Sequence, residues 1–137
     1  MQITHLPKEK MTEQFMENIH KNVFSENVPG HFFKFDECLI AEKEDSLLGY
    51  ILIKEITTDM IDIAWGGTFK ETRGIWIKKV FNDACDLLLK HYKVITFQTR
   101  SSNIPMIKLG LSIGFKIVGC VVLNENELFV NFSKGRE

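Results

Sequence analysis

A chain of 137 residues has room for one hydrophobic core and one site, and is too short for two ordinary domains, so a single domain over 1–137 is expected. Its 45% hydrophobic and 26% charged residues exclude disordered, collagen-like and transmembrane classes. A net charge of -1 and a pI near 6.4 give no general field that would draw it to nucleic acid or to an anionic membrane. Cys38, Cys85 and Cys120 are odd in number and far apart. That pattern supports neither a disulfide framework nor a Cys-x-x-Cys metal site, and the expected setting is a reducing cytoplasm. His5, His20 and His91 lack zinc-ligand spacing, so no metal is expected. Met1 to Pro7 has no basic region leading into a long apolar stretch, so neither export by a signal peptide nor membrane insertion is expected.

Gln2 to Leu6 reads as a short first strand. Met11, Phe15, Ile19 and Val23 then recur every four residues among polar neighbours, which predicts an amphipathic helix. The helix breaks around Asn27 to Gly30, and His31, Phe32, Phe33 and Phe35 follow in a second short helix or a loop. Cys38 to Lys43 and Leu47 to Ile56 are apolar runs joined by Glu44, Asp45 and Ser46, the pattern of an antiparallel hairpin. In the next strand Ile61, Ile63 and Trp65 alternate with Met60, Asp62 and Ala64 until Gly66 and Gly67 end it. From about Thr72 to His91, Ile77, Val80, Phe81, Ala84, Leu87 and Leu88 keep helical spacing, a stripe suited to lying on a sheet. Val94 to Gln98 reads as a buried strand. Ser102 or Asn103 is suited to cap a short helix, Pro105 is tolerated in its first turn, and Gly114 is suited to end it. Phe115 to Leu123 and Glu127 to Phe132, joined by Asn124, Glu125 and Asn126, form a closing hairpin.

The order β-α-(α)-β-β-β-α-β-α-β-β resembles the fold of the GNAT family of N-acetyltransferases across essentially the whole chain. A sharper likeness lies in Asn103-Ile-Pro-Met-Ile-Lys-Leu-Gly-Leu-Ser-Ile-Gly-Phe115 followed by Lys116 to Gly119, which is similar to the family's motif around its fourth helix. Leu48-Gly49-Tyr50 leading into Ile51 to Ile56 is similar to its third strand. Each residue alone has an ordinary structural explanation as cap, helix stop or core, and the joint spacing carries the likeness. The resemblance implies an α/β (α+β) fold: a mixed, mostly antiparallel twisted sheet of about seven strands with helices on both faces. A weaker similarity runs to small GNAT-like proteins of tailed phages, for which a virion-associated location would replace the cytoplasmic one.

The family holds acetyl-CoA where its fourth and fifth strands part, with the pyrophosphate on backbone N-H groups at the start of the long helix. Its loop there reads Gln/Arg-x-x-Gly-x-Gly/Ala, because side chains would keep phosphate oxygens from the backbone. The nearest match is Arg73-Gly74-Ile75-Trp76-Ile77-Lys78, with Trp76 and Lys78 at the glycine positions. Sliding the frame to use Gly74 puts Glu71 in place of Gln/Arg and again leaves Trp76 at a glycine position. Lys70, Arg73, Lys78 and Lys79 suit a phosphate and equally suit a solvated helix start. The resemblance thus implies Trp65, Arg73, Gly74 and Asn103 as cofactor-side residues.

Family catalysis uses a carboxylate or ordered water to deprotonate the amine, and a Tyr in the fourth helix to protonate the leaving thiolate. Asp62 and Glu55 are the candidate bases, while Gly110 occupies the Tyr position. Ser112, Tyr50 and Tyr92 offer no evident replacement, although positioning of amine and thioester alone can supply much of the rate. Two readings follow. One is an acetyl-CoA-dependent N-acyltransferase acting on a small-molecule or protein amine. The other is a catalytically silent module that engages a protein partner or forms a homo-oligomer. Nucleic-acid binding has little support, because no aromatic residues interleave a basic stripe.

Overall fold

The computed structural model describes residues 2–6, 14, 36–44, 46–68 and 77–136. The helix expected over Met11 to Val23, the aromatic cluster from His31 to Phe35, and Arg73, Gly74 and Trp76 lie outside the described residues. Seven strands form one sheet: β1 (Gln2–Leu6), β2 (Glu37–Lys43), β3 (Ser46–Glu55), β4 (Met60–Thr68), β5 (Val94–Arg100), β6 (Lys116–Asn124) and β7 (Glu127–Gly135). Their order is β1-β2-β3-β4-β5-β7-β6, antiparallel throughout except for β4 beside β5. Two described helices connect them, α1 (Ile77–Leu88) after β4 and α2 (Ile104–Ser112) after β5.

The hairpin of β2 and β3 turns tightly between Lys43 and Ser46, with Glu44 in the left-handed region at φ 51°. In β2 and β3 consecutive residues are buried, Cys38 to Ala41 and Tyr50 to Ile53, so both sheet faces are covered there. That is why each reads as a continuous apolar run. Strand β5 differs: Ile95, Phe97 and Thr99 are buried while Gln98 and Arg100 are exposed, and it runs two residues beyond the expected Gln98.

Helix α1 buries Val80, Phe81, Ala84, Cys85 and Leu88, one stripe at helical spacing. The stripe lies against Ile53, Ile61, Ile95 and Phe97, each fully buried large side chain being worth about 1.5–3 kcal/mol. Beyond its end, Arg136 donates from Nε to the Leu89 carbonyl (2.8 Å) and from a terminal nitrogen to the Tyr92 carbonyl (3.2 Å). Carbonyls past the last turn of the helix thus find a cationic donor, which ties the segment after α1 to the end of β7.

Helix α2 packs on the same face. The Phe97 ring is stacked on Phe132 (centroids 4.6 Å apart) and meets Phe115 (4.8 Å) and Phe81 (5.7 Å) edge-on. This four-ring cluster joins both helices to β5 and β7, and aromatic pairs of this geometry add about 0.5–1.5 kcal/mol each beyond area burial. Gly114 ends α2 at φ +100°, where glycine carries no Cβ penalty. Lys134 Nζ donates to the Ile113 carbonyl at 2.6 Å, satisfying a group that the helix leaves open.

Candidate functional site

The parallel ladder between β4 and β5 is three residues long: Met60 opposite Val94, Ile61 opposite Ile95, Asp62 opposite Thr96. Past that point β4 stays with β3 as far as Thr68, and β5 stays with β7 as far as Arg100. The two strands therefore part, and a cleft opens between 63–68 and 97–100. Its cause sits in β4. The register with β3 slips by one between Leu52 opposite Trp65 and Ile53 opposite Ile63, leaving Ala64 as the extra residue of a β-bulge. A bulge bends its strand and raises its twist, and this one begins two residues after the last β4–β5 pair. The alternation of Ile61, Ile63 and Trp65 read from the sequence is thus interrupted at Ala64.

Asp62 stands at the apex. Its Oδ1 accepts a 2.7 Å hydrogen bond from Thr96 Oγ1, and its neighbour across β3 is Lys54. Half-burial nevertheless pushes its carboxyl above the ordinary aspartate range; the Thr96 hydrogen bond and the Lys54 charge oppose the rise without cancelling it. A half-buried carboxylate at the point of a cleft, with a raised proton affinity, has the properties of a base working toward neutral pH.

Glu55 lies elsewhere. It is opposite Ile61 in the register, one position along from Lys54 opposite Asp62, so the two carboxylates fall on opposite faces of the sheet. Glu55 accepts the Tyr92 hydroxyl at 2.6 Å; burial first, and then this hydrogen bond to the carboxylate, raises the Tyr92 phenol well above its usual value. Asp62 and Glu55 therefore do not form one site.

On the β5 side, Asn103 caps α2: its Oδ1 accepts from Met106 N (3.4 Å) and its Nδ2 donates to Thr99 Oγ1 (3.2 Å). Both polar ends of the side chain serve the turn out of β5, as the N-cap reading required. Near it, Glu127 of β7 receives Ser102 Oγ and the Arg100 guanidinium (3.4 Å), and these donors hold its carboxyl below the ordinary range, the Ser102 hydrogen bond foremost. Thr96, Arg100 and Glu127 were not marked by any motif, and Ser102 was marked only as an alternative cap. Their proximity depends on pairing between segments up to 34 residues apart.

Gly110 has a packing reason. A Cβ there would lie 2.8 Å from Phe97 Cζ and 3.4 Å from Phe132 Cδ1. The four-ring cluster fills the space, so no side chain fits, a tyrosine least of all. Ser112 turns its hydroxyl back onto the Leu109 carbonyl at 2.8 Å. The backbone of Trp65 lies in the β4 segment that β5 has left, whereas Arg73 and Gly74 fall outside the described residues. Among the described residues no three His, Cys, Asp or Glu side chains are grouped to hold a metal ion, and no helix is long and apolar enough to cross a membrane.

No family model and no curated protein matches the sequence. Solved structures do resemble it. The Bacillus subtilis acetyltransferase in complex with CoA superposes with a TM-score of 0.76 at 15% identity, over 97% of each chain. A GNAT family acetyltransferase from Elizabethkingia anophelis with acetyl-CoA bound gives 0.75 at 13% identity, again over 97% of each chain. The Escherichia coli ribosomal-protein-S18-alanine N-acetyltransferase gives 0.75 at 10% identity, over 99% of this chain and 95% of that one. The seven-stranded, mostly antiparallel sheet with its parted fourth and fifth strands is the GNAT fold. Fold alone does not carry function, which has to be argued from the cleft.

Proposed function

We propose that the protein is an acetyl-CoA-dependent N-acyltransferase that uses the cleft between β4 and β5. The observation that carries the reading is the parting of these strands directly beyond a half-buried, proton-affine carboxylate. The parted edges release backbone donors and acceptors over 63–68, which fits the alternating amides of a pantetheine arm. Acetyl-CoA, when bound, supplies an activated thioester. Trp65, Arg73, Gly74 and Asn103 are its proposed neighbours. Asp62 takes the proton of the acceptor amine, and Thr96 orients its carboxylate. Glu55, engaged by Tyr92 on the opposite face, is the lesser candidate for the base. The acceptor is a small-molecule or protein amine; one structural neighbour bears the name of a protein alanine N-acetyltransferase.

A second reading has its own observation. The closed position at Gly110 leaves no room for the family's thiolate acid, which favours a silent module that binds or assembles with a protein, a phage virion or head-assembly accessory being its most specific form. Thermal denaturation with acetyl-CoA separates the two. A midpoint that climbs with ligand concentration supports the cofactor cleft, and a further loss of turnover of about a hundredfold in Asp62→Asn supports the base. A midpoint indifferent to both acetyl-CoA and free CoA would overturn the enzyme reading.

A further inference from the structure

Resting on the acyltransferase reading, we infer that the acceptor is a peptide α-amine with an acidic side chain about four residues on, laid across β5, β7 and β6 with its amine at Asp62. Directly paired residues share a sheet face, and the registers chain into one row. Lys54 is opposite Asp62, Asp62 opposite Thr96, Thr96 opposite Ser133, and Ser133 opposite Lys116. Gln98 and Asn131, paired two positions along, stand on the same face. Helices α1 and α2 cover the other face, where Ile95, Phe97 and Phe132 are buried. The row is open to solvent: Gln98 and Lys116 are exposed, and Thr96, Asn131 and Ser133 are half-buried.

Hydrogen-bonding capacity along this row is in place and unused. Thr96 is engaged with Asp62, but the side chains of Gln98, Asn131 and Ser133 form no hydrogen bond with another described residue. Two amides and a hydroxyl supply both the donors and the acceptors that a peptide backbone takes up. Gly119 of β6, opposite Asn131, has no side chain to cover that amide, and a Cβ there would lie 3.9 Å from Asn131 Nδ2. Charge then selects the acceptor. On this face of β4, β5, β7 and β6 the described carboxylates are Asp62 and Glu127, and Glu127 is held by Ser102 and Arg100. A second cation on the acceptor, as in a polyamine, therefore finds no free carboxylate among the described residues of the row and meets Lys116 at its far end. An anion there meets an opposite charge. Lys116 lies three strand steps from Asp62, roughly 14 Å at the usual strand spacing, which an extended peptide covers in about four residues. An α-amine, with a pKa of about 8, also yields its proton to a carboxylate more readily than a lysine amine at about 10.4.

The test is acetylation by the full chain, followed by mass spectrometry, of the peptide amide Ala-Ala-Ala-Glu-Ala-Ala, of its counterpart with arginine in the fourth place, and of spermidine. The glutamate peptide is expected to exceed the arginine peptide about fivefold in kcat/KM, with spermidine below both. Lys116→Glu, at an exposed position, is expected to reverse the order of the two peptides without moving the unfolding midpoint, and Lys116→Gln to bring them level. Equal rates for the two peptides, spermidine as the better acceptor, or an order that survives Lys116→Glu would overturn the inference and leave acyl transfer standing. A midpoint raised by acetyl-CoA with neither peptide acetylated would also overturn it, with the cofactor cleft intact. A midpoint indifferent to acetyl-CoA, with none of the three amines acetylated, would overturn the acyltransferase reading itself and this inference with it.

Discussion

Strand β5 has two neighbours and meets them differently. Toward β7 it is paired along its full length, from Val94 opposite Gly135 to Arg100 opposite Phe129, and its inward side chains are locked into the phenylalanine cluster. Toward β4 the pairing stops after three residues, and the Thr96 hydroxyl meets the Asp62 carboxylate and the Ile61 carbonyl across the boundary. The sealed side holds the strand still; the open side exposes polar backbone and a carboxylate. One strand can present an open cleft because its other edge and its buried face are firmly held, so stability and chemistry separate across a single backbone.

Four substitutions put that contrast under strain. Phe97→Ala strikes the sealed side and should cost about 3–5 kcal/mol in urea unfolding, since it removes the ring shared by Phe81, Phe115 and Phe132. A cost below about 1 kcal/mol would mean that the cluster is loosely packed. Gly110→Ala comes next. Alanine is the better helix former by about 1 kcal/mol, yet its Cβ would press on Phe97 at 2.8 Å, so a net loss of about 1–3 kcal/mol is expected in the same measurement. Asn103→Ala removes the cap at the mouth of the cleft and should cost about 1 kcal/mol, with Asn103→Asp largely restoring it.

Asp62→Asn, on the open side, carries the opposite sign. The Asp62 carboxyl has its proton affinity raised by folding, so its ionisation opposes the folded state: the handicap is absent below the ordinary aspartate range and develops as pH rises through the elevated folded value. The variant should therefore match the parent in acid and unfold at a higher temperature at neutral pH. Equal midpoints at both pH values would place Asp62 in a fully solvated setting. Glu127 runs the other way, because its lowered proton affinity favours the folded state above the ordinary glutamate range and ceases to as pH falls.

The elements were legible because their signals are local. Asn103 and Gly114 bracket α2 as a cap and a left-handed stop, and the period of Val80, Phe81, Ala84 and Leu88 marks α1, though Cys85 joins that stripe unannounced. The open cleft left no such trace. Ala64 is an unremarkable residue inside an alternating run, and only the register against β3 makes it a bulge. Gly110 looked like a missing tyrosine because its true neighbours, Phe97 and Phe132, are brought beneath it by a β5–β7 pairing that no nearby residue encodes. Asp62 was legible as a carboxylate on the right strand, but its separation from Glu55 by the plane of the sheet follows from one step of register.

The position of β7 also bears on how the chain is made. It follows β6 in sequence yet inserts between β5 and β6, so a ribosome releases β5 and the apolar β6 before the strand that joins them exists. Until Phe132 has emerged, Phe97 has no ring to stack on and two strand edges stand bare. Completion of this half of the sheet is therefore a late, long-range event, and the nascent chain passes through a stage suited to chaperone capture.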